Sequence, residues 1–365
     1  AKEANINELP PPPTTADAND LFGITRTINV YETGGNFFMI DASRSMHNAV
    51  QSTFPNGTVG VILTIDGNNT IPQSNNFETF HVVSSNNNWN NPTAVSAHYN
   101  GGKVYEYFKN TFGRESINGQ GGNIISIINV ADQDGGDMDN AFWNGQAMFY
   151  GNGDQAFTAP LAKALDVAAH EIGHGVIQST ANLEYYGESG ALNESFADVF
   201  GAMVDRDDWQ MGEDISNPSI FPTGALRDLS NPNNGGSVLG DPVYQPAHTN
   251  EQFFGTQDNG GVHINSGITN RAFFLFATDV GKEVAEEIYY EVLDLYLVKS
   301  SQFIDLRLAV VEVTTNKFGA NSAQVKAAKS AFDNVGILNG QGNDTKVDVC
   351  SNAGETFVIF SSLDF

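Results

Sequence analysis

The spacing of apolar positions along the chain changes character near residue 160. Before it, from about Leu21, short β-branched runs such as Val59–Ile65 and Ile124–Val130 alternate with turns rich in Gly, Asn and Thr, which predicts strands joined by tight connections. One stretch in this half, Ala94–Phe112, carries Val95, Tyr99, Tyr105 and Phe108 on a loose helical period and predicts a helix laid on the sheet. After Pro160, a favoured helix-start residue, the period becomes helical. Leu161–Gln178, Gly190–Asp205, His263–Val280, Glu283–Lys299, Phe303–Phe318 and Ser322–Val335 all place apolar residues at i, i+3 and i+4. The chain therefore reads as α+β in two domains, mainly β over 21–160 and mainly α over 161–337. Residues 1–20, with Pro10 to Pro13, predict a polyproline-like arm outside the fold. Residues 338–365, with Cys350 and a short β-like run at Thr356–Phe360, predict a C-terminal extension.

Composition narrows the chemistry. The 365 residues are 40% hydrophobic and 16% charged, so burying a core is not limiting. Lys+Arg 17 against Asp+Glu 43 gives a net charge of -26, which opposes binding to nucleic acid or anionic membranes and leaves many carboxylates for hard cations. With one cysteine, an internal disulfide and a zinc ribbon are excluded, so any metal must be held by His and carboxylate. Residue 1 is Ala, and no apolar run approaches the ~20 residues of a membrane-spanning helix; the chain reads as a processed form.

Inside the first helix of the second half lies His170-Glu171-Ile172-Gly173-His174. Two His four residues apart sit about 6 Å apart along one helix face, so both imidazoles can reach one ion. A catalytic zinc takes three protein ligands and keeps one position for water, so a third ligand must come from elsewhere. Downstream, Glu194 and Asp198 share a helix face by the same rule: Glu194 can complete the site, and Asp198 can accept the free ring N–H of His170. Gly173 and Gly175 are poor helix formers, a cost that implies close packing or a functional demand.

The HEIGH segment, GESGALNESFAD, Asp139–Gly151 (DNAFWNGQAMFYG), Ala225–Pro232 (ALRDLSNP) and Asp258–Gly267 (DNGGVHINSG) together resemble the thermolysin-like family of zinc endopeptidases, in that family's order and with its 20-residue step from His174 to Glu194. The resemblance covers about Asp20 to Val335. It implies a two-domain thermolysin-like fold with a zinc site in the cleft between the halves. It further implies His170, His174 and Glu194 as zinc ligands, Glu171 as general base, and Tyr185 and His263 as donors to the tetrahedral oxyanion. Asp258 would orient His263, Asn140 and Ala141 would hold the peptide, and Arg227 would grip the carbonyl beyond the cut bond.

By the same resemblance, Asp166, Asp205, Asp208 and Glu213 match a calcium site, and Leu161, Val167, Ile215 and Leu226 match the wall of a pocket for the residue after the cut bond. Only Arg206 and Asp207 separate Asp205 from Asp208, a loop shorter than usual in the family, so one calcium is expected. The expected function is that of a secreted, monomeric zinc endopeptidase acting on polypeptides, with a preference for bulky apolar residues just after the cut. Two competing functions are a zinc aminopeptidase, which needs acids to hold a free α-amino group where this chain has Asn140-Ala141-Phe142-Trp143, and a silent binding module.

Overall fold

A computed structural model describes residues 14–241 and 243–339. Expectations for residues 1–13 and for Cys350 and Thr356–Phe360 lie outside the described residues. The expectation of an arm over residues 1–20 fails across its last part. Thr14–Asn19 forms strand β1, paired antiparallel with β2 (Thr25–Thr33), because Ala16 and Ala18 alternate inward and bury against the core. With β3 (Asn36–Phe38) and β7 (Val83–Ser84) they complete a four-stranded sheet.

The second sheet positions the chemistry. It runs β4 (Ile40–Asp41), β5 (Ile62–Thr70), β8 (Ile124–Val130), β10 (Met148–Gly151), β9 (Ala141–Trp143), with β6 (Phe80–His81) beside β5. β5, β8 and β10 are parallel; β9 returns antiparallel at the edge, its Ala141 opposite Tyr150. Helix α1 (Pro92–Phe112) lies on this sheet. Asn91 caps it by accepting from Ala94 N, and at Gly101 a Cβ would stand 3.2 Å from Ile62, so the glycine sets the close approach.

Beyond Pro160 the elements are helical, with a correction at the start. Pro160 precedes a single 3-10 turn, Leu161–Lys163, and α2 proper is Leu165–Gln178. It is followed by α3 (Gly187–Val204), a two-stranded ribbon of β11 (Gln210–Met211) and β12 (Arg227–Asp228), α4 (Gln257–Val280), α5 (Lys282–Leu295), α6 (Phe303–Phe318) and α7 (Ala323–Asn334). One core cluster joins both halves, with Val95 and Phe108 of α1, Ile172 of α2, Phe196 and Phe200 of α3 and Phe273 of α4. Gly173 explains itself here: a Cβ would stand 3.3 Å from Ala197 Cα, so its absence lets α2 press against α3.

Candidate metal centre and cleft

Helix periodicity delivers the first part of the site. On α2, His170 and His174 turn their Nε2 atoms to within 3.1 Å of each other. From α3, Glu194 brings Oε2 to 3.4 Å from His170 Nε2 and Oε1 to 3.5 Å from His174 Nε2. Tetrahedral zinc with bonds of about 2.0–2.1 Å spaces its ligand atoms about 3.3 Å apart. The three side chains converge with that spacing, so they fit the ion that the family resemblance implies.

The opposite ring edges are held as well. His170 Nδ1 stands 2.9 Å from Asp198 Oδ1, and His174 Nδ1 stands 2.8 Å from Asn193 Oδ1. Both contacts leave Nε2 free to face the centre. Asp198 is fully buried, and burial would raise its pKa, yet Arg227 and His170 pull it down to about 2. Burial disfavours charge on His170, but Asp198 and Glu194 push its pKa up to about 10, so this position favours positive charge. Glu194 is buried too, and the imidazoles of His263, His174 and His170 overcome that burial and hold it well below the carboxylate range.

A cleft of about 450 Å³ opens over these groups, with Glu171 on its floor, Tyr185 and His263 on one wall, and Asn140, Ala141 and Trp143 on the other. Tyr185 donates its hydroxyl to Glu194 Oε1 and lies 3.1 Å from His263 Nε2. His263 owes its position to a turn that helical periodicity does not register. Asp258, Asn259, Gly260 and Gly261 all take left-handed backbone, φ 48 to 81, before regular helix begins. The turn folds Asp258 under His263, where Oδ1 meets Nδ1 at 2.6 Å and Oδ2 accepts from His263 N at 2.8 Å. β9 is the outer strand of its sheet, so its free backbone edge faces the cleft. Trp143 pins that strand to α2: its Nε1 donates to Gln178 Oε1 at 2.8 Å, and its ring lies where a Cβ on Gly175 would come within 3.1 Å.

Other residues read from the sequence fall elsewhere. Arg227 spends Nε and Nη2 on Asp198. Leu161 and Ile215 are buried in the core, Val167 is half-buried against it, and Leu226 borders a separate cavity with Arg227; none of the four lines the 450 Å³ cleft. Of the four acids read as a calcium site, Asp166, Asp205 and Glu213 bring carboxylate oxygens within 4.8 Å of one another. Asp208 is not in that group, although its charge acts on Asp205 and Glu213; its Oδ1 accepts from Gln210 N at 2.7 Å at the start of β11. Asp166 Oδ1 and Glu213 Oε2 are buried without a hydrogen-bond partner. Burial first, and then neighbouring carboxylates, raise all three pKa values: Asp205 acts on Asp166, Asp166 on Glu213, and Asp214, Asp207 and Asp208 on Asp205, whose pKa reaches about 6. Buried carboxylate oxygens with no donor fit an oxygen-seeking cation.

Asn193 was missed by sequence reading because a neutral amide carries no charge signal; its place beside Glu194 on a helix facing His174 was the available clue.

Two family descriptions match, "Thermolysin metallopeptidase, catalytic domain" over residues 15–178 and "Thermolysin metallopeptidase, alpha-helical domain" over 181–337. Neutral protease B of Bacillus subtilis is 37% identical over 87% of this chain and 57% of its own length. Extracellular elastase of Staphylococcus epidermidis is 37% identical over 91% of this chain and 60% of its own. The chain thus spans little more than half the length of these relatives. Among solved structures, the precursor of protealysin, a metalloproteinase from Serratia proteamaculans, superposes with a TM-score of 0.66 at 31% identity, covering 80% of this chain and 91% of that one.

Proposed function

The chain belongs to the thermolysin metallopeptidase family, and from that premise we propose that it is a secreted, zinc-dependent endopeptidase that hydrolyses internal peptide bonds of polypeptides. The observation that carries this reading is the convergence of His170, His174 and Glu194 at 3.1 to 3.5 Å, beneath a cleft edged by β9, whose outer edge is unpaired among the described residues. Zinc held by those residues supplies Lewis acidity, lowering the pKa of water and polarising a carbonyl.

The chain's own groups do the rest. β9 offers backbone donors and acceptors on which an extended peptide adds as a further strand, with Asn140 beside it. Glu171, buried at the cleft floor between the two His on α2, takes a proton from the attacking water and passes it to the leaving amine. Tyr185 O–H and His263 Nε2–H donate to the oxygen that gains charge as the carbonyl becomes tetrahedral. Asp258 accepts from His263 Nδ1–H, and the charges of Glu194 and Asp258 overcome burial to raise the ring's affinity for a second proton; in that protonated ring Nε2–H faces the substrate.

Arg227, anchored on Asp198, keeps Nη1 for the carbonyl beyond the cut bond. Leu226, next to it, supports a preference for bulky apolar residues after that bond. One calcium ion at Asp166, Asp205 and Glu213 stabilises the junction of α2, α3 and the β11 loop. Relatives described as extracellular support secretion, and no helix among the described residues is long and apolar enough to cross a membrane. We read the enzyme as a monomer that binds neither nucleic acid nor membrane. The deciding experiment is cut-site mapping on an N-terminally blocked peptide and on denatured casein, with and without chelator, alongside metal analysis. Internal cuts that vanish on chelation and return with zinc are expected; chelator-insensitive cleavage, or none from zinc-loaded protein, refutes the reading.

A further inference from the structure

Asn270 lies on α4 seven residues beyond His263, close to two turns further along the same face of that helix. Neither Asn270 nor Asp198 on α3 exposes any surface. Asn270 Nδ2 donates to Asp198 Oδ2 at 2.8 Å, whereas Asn270 Oδ1 is buried with no hydrogen-bond partner among the described residues. A stranded carbonyl oxygen is costly, and leucine, close to asparagine in shape, would fill the space with no polar atom to strand. Packing alone therefore does not call for an amide at this position. What the amide adds is its one bond, to Asp198.

The Asp198 carboxylate is shared. Its Oδ1 stands 2.9 Å from His170 Nδ1 and accepts from Arg227 Nη2 at 2.7 Å, while its Oδ2 accepts from Arg227 Nε at 3.0 Å and from Asn270. Arg227 reaches both oxygens, but it belongs to the two-residue strand β12, so its grip moves with that short ribbon. Asn270 reaches Oδ2 from a long helix whose Phe273 packs in the same buried cluster as Phe196 and Phe200 of α3. A carboxylate turns easily about its last torsion, and a second hold from a rigid neighbour fixes its plane.

We propose that Asn270 is a positioning residue that locks the plane of the Asp198 carboxylate, and so aims His170 at the metal and Arg227 at the substrate carbonyl. The substrate half rests on the peptidase reading; the metal half does not, and the test reads them separately.

Zinc dissociation constants are measured by competition with a chelating dye for wild type, Asn270→Leu, Asp198→Asn and the double variant. Asn270→Leu weakens zinc about three- to tenfold, less than the loss expected for Asp198→Asn itself, because it acts one contact further out. In the Asp198→Asn background the same substitution changes the constant less than about twofold, since the route through the carboxylate is already broken. A packing defect would carry over into that background undiminished. Asn270→Ala, which cannot clash, supplies the same cycle if the leucine variant does not fold. In cobalt-loaded protein the visible absorption bands shift with Asn270→Leu, as the His170 ring turns. On a blocked peptide at saturating zinc, KM rises more than kcat falls. An unchanged zinc constant in Asn270→Leu and Asn270→Ala, or a loss of equal size with and without Asp198→Asn, overturns the proposal. KM unchanged beside weakened zinc refutes its Arg227 half. Absence of hydrolysis by zinc-loaded wild type would count against the peptidase reading alone, and the zinc cycle would still decide the role of Asn270.

Discussion

Arg227 closes on Asp198 through Nε at 3.0 Å and Nη2 at 2.7 Å, and the same carboxylate stands 2.9 Å from Nδ1 of His170. Asn270 Nδ2 adds a further donor at 2.8 Å. The side chain proposed to hold substrate is thus anchored on the group that orients a metal ligand. Removing one partner of a buried pair strands the other, so Arg227→Met should destabilise the fold by about 3–5 kcal/mol and weaken zinc together with activity. Asp198→Asn should weaken zinc about 10–100-fold. Thermal melts and zinc competition against a chelating dye measure both; a zinc dissociation constant unchanged in Asp198→Asn would reject the supporting role.

Glu171→Ala should keep zinc and fold yet lose at least 10²–10⁴-fold in turnover, because the carboxylate moves protons and is not among the three converging ligands. Zinc content by atomic absorption, circular dichroism and casein hydrolysis on the same preparation test this together. Wild-type rates in the variant would remove Glu171 from the mechanism.

The helices were legible because each buries one stripe, as Phe303–Phe318 shows with Phe303, Leu306, Val310 and Val313 inward. The four-residue rule likewise placed His170 with His174 and Glu194 with Asp198. Strand β1 was hidden, since Ala16 and Ala18 are weak strand formers next to a proline tract. So was the entry to α4: four successive left-handed residues leave a trace in Gly260 and Gly261 but none in Asp258 and Asn259. Asn193 and Asn270 escaped for a different reason, being neutral amides whose partners are set by tertiary packing. Apolar residues such as Leu161 and Ile215 look the same in sequence whether they line a pocket or fill the core.

His263→Ala should lower kcat about 10²–10³-fold while KM shifts only a few-fold, because the donor matters most once charge has developed on the oxygen. Asp258→Asn should reproduce part of that loss, since it loosens the ring by removing a charge-assisted contact at 2.6 Å. Steady-state kinetics on a blocked peptide separate the two parameters. A rise in KM with kcat intact would recast His263 as a binding residue.

Calcium should raise the melting temperature of wild-type protein and leave Asp205→Asn or Glu213→Gln nearly unmoved. Without a cation, Asp166, Asp205 and Glu213 crowd their carboxylates within 4.8 Å, and an ion bound only by the folded state removes that repulsion. At a hundred times its dissociation constant the ion contributes about 2.7 kcal/mol. Differential scanning fluorimetry with a calcium-selective chelator reads the shift; melting curves indifferent to the chelator would exclude the site.

Asp139 links the substrate strand to acid stability. Its two oxygens accept from the backbone N–H groups of Asp154, Gln155, Ala156 and Phe157 at 2.6 to 3.1 Å, clamping the 154–157 loop beside β9. Partial burial opposes its charge, but the four donors prevail and hold its pKa below the usual 3.8. A carboxyl whose folded pKa lies below its unfolded value contributes stability that is fully present above the unfolded pKa and is lost as pH falls through the folded one. Wild type should therefore lose this contribution progressively below about pH 4. Asp139→Asn, which cannot ionise, should be less stable at pH 7 by about 1 kcal/mol and should close most of that gap by pH 3. Because Asn140 and Ala141 follow directly, the variant should also raise KM more than it lowers kcat. Urea melts at pH 7 and pH 3 with parallel kinetics decide it: a stability gap that stays constant between the two pH values would show that the clamp does not depend on the charge.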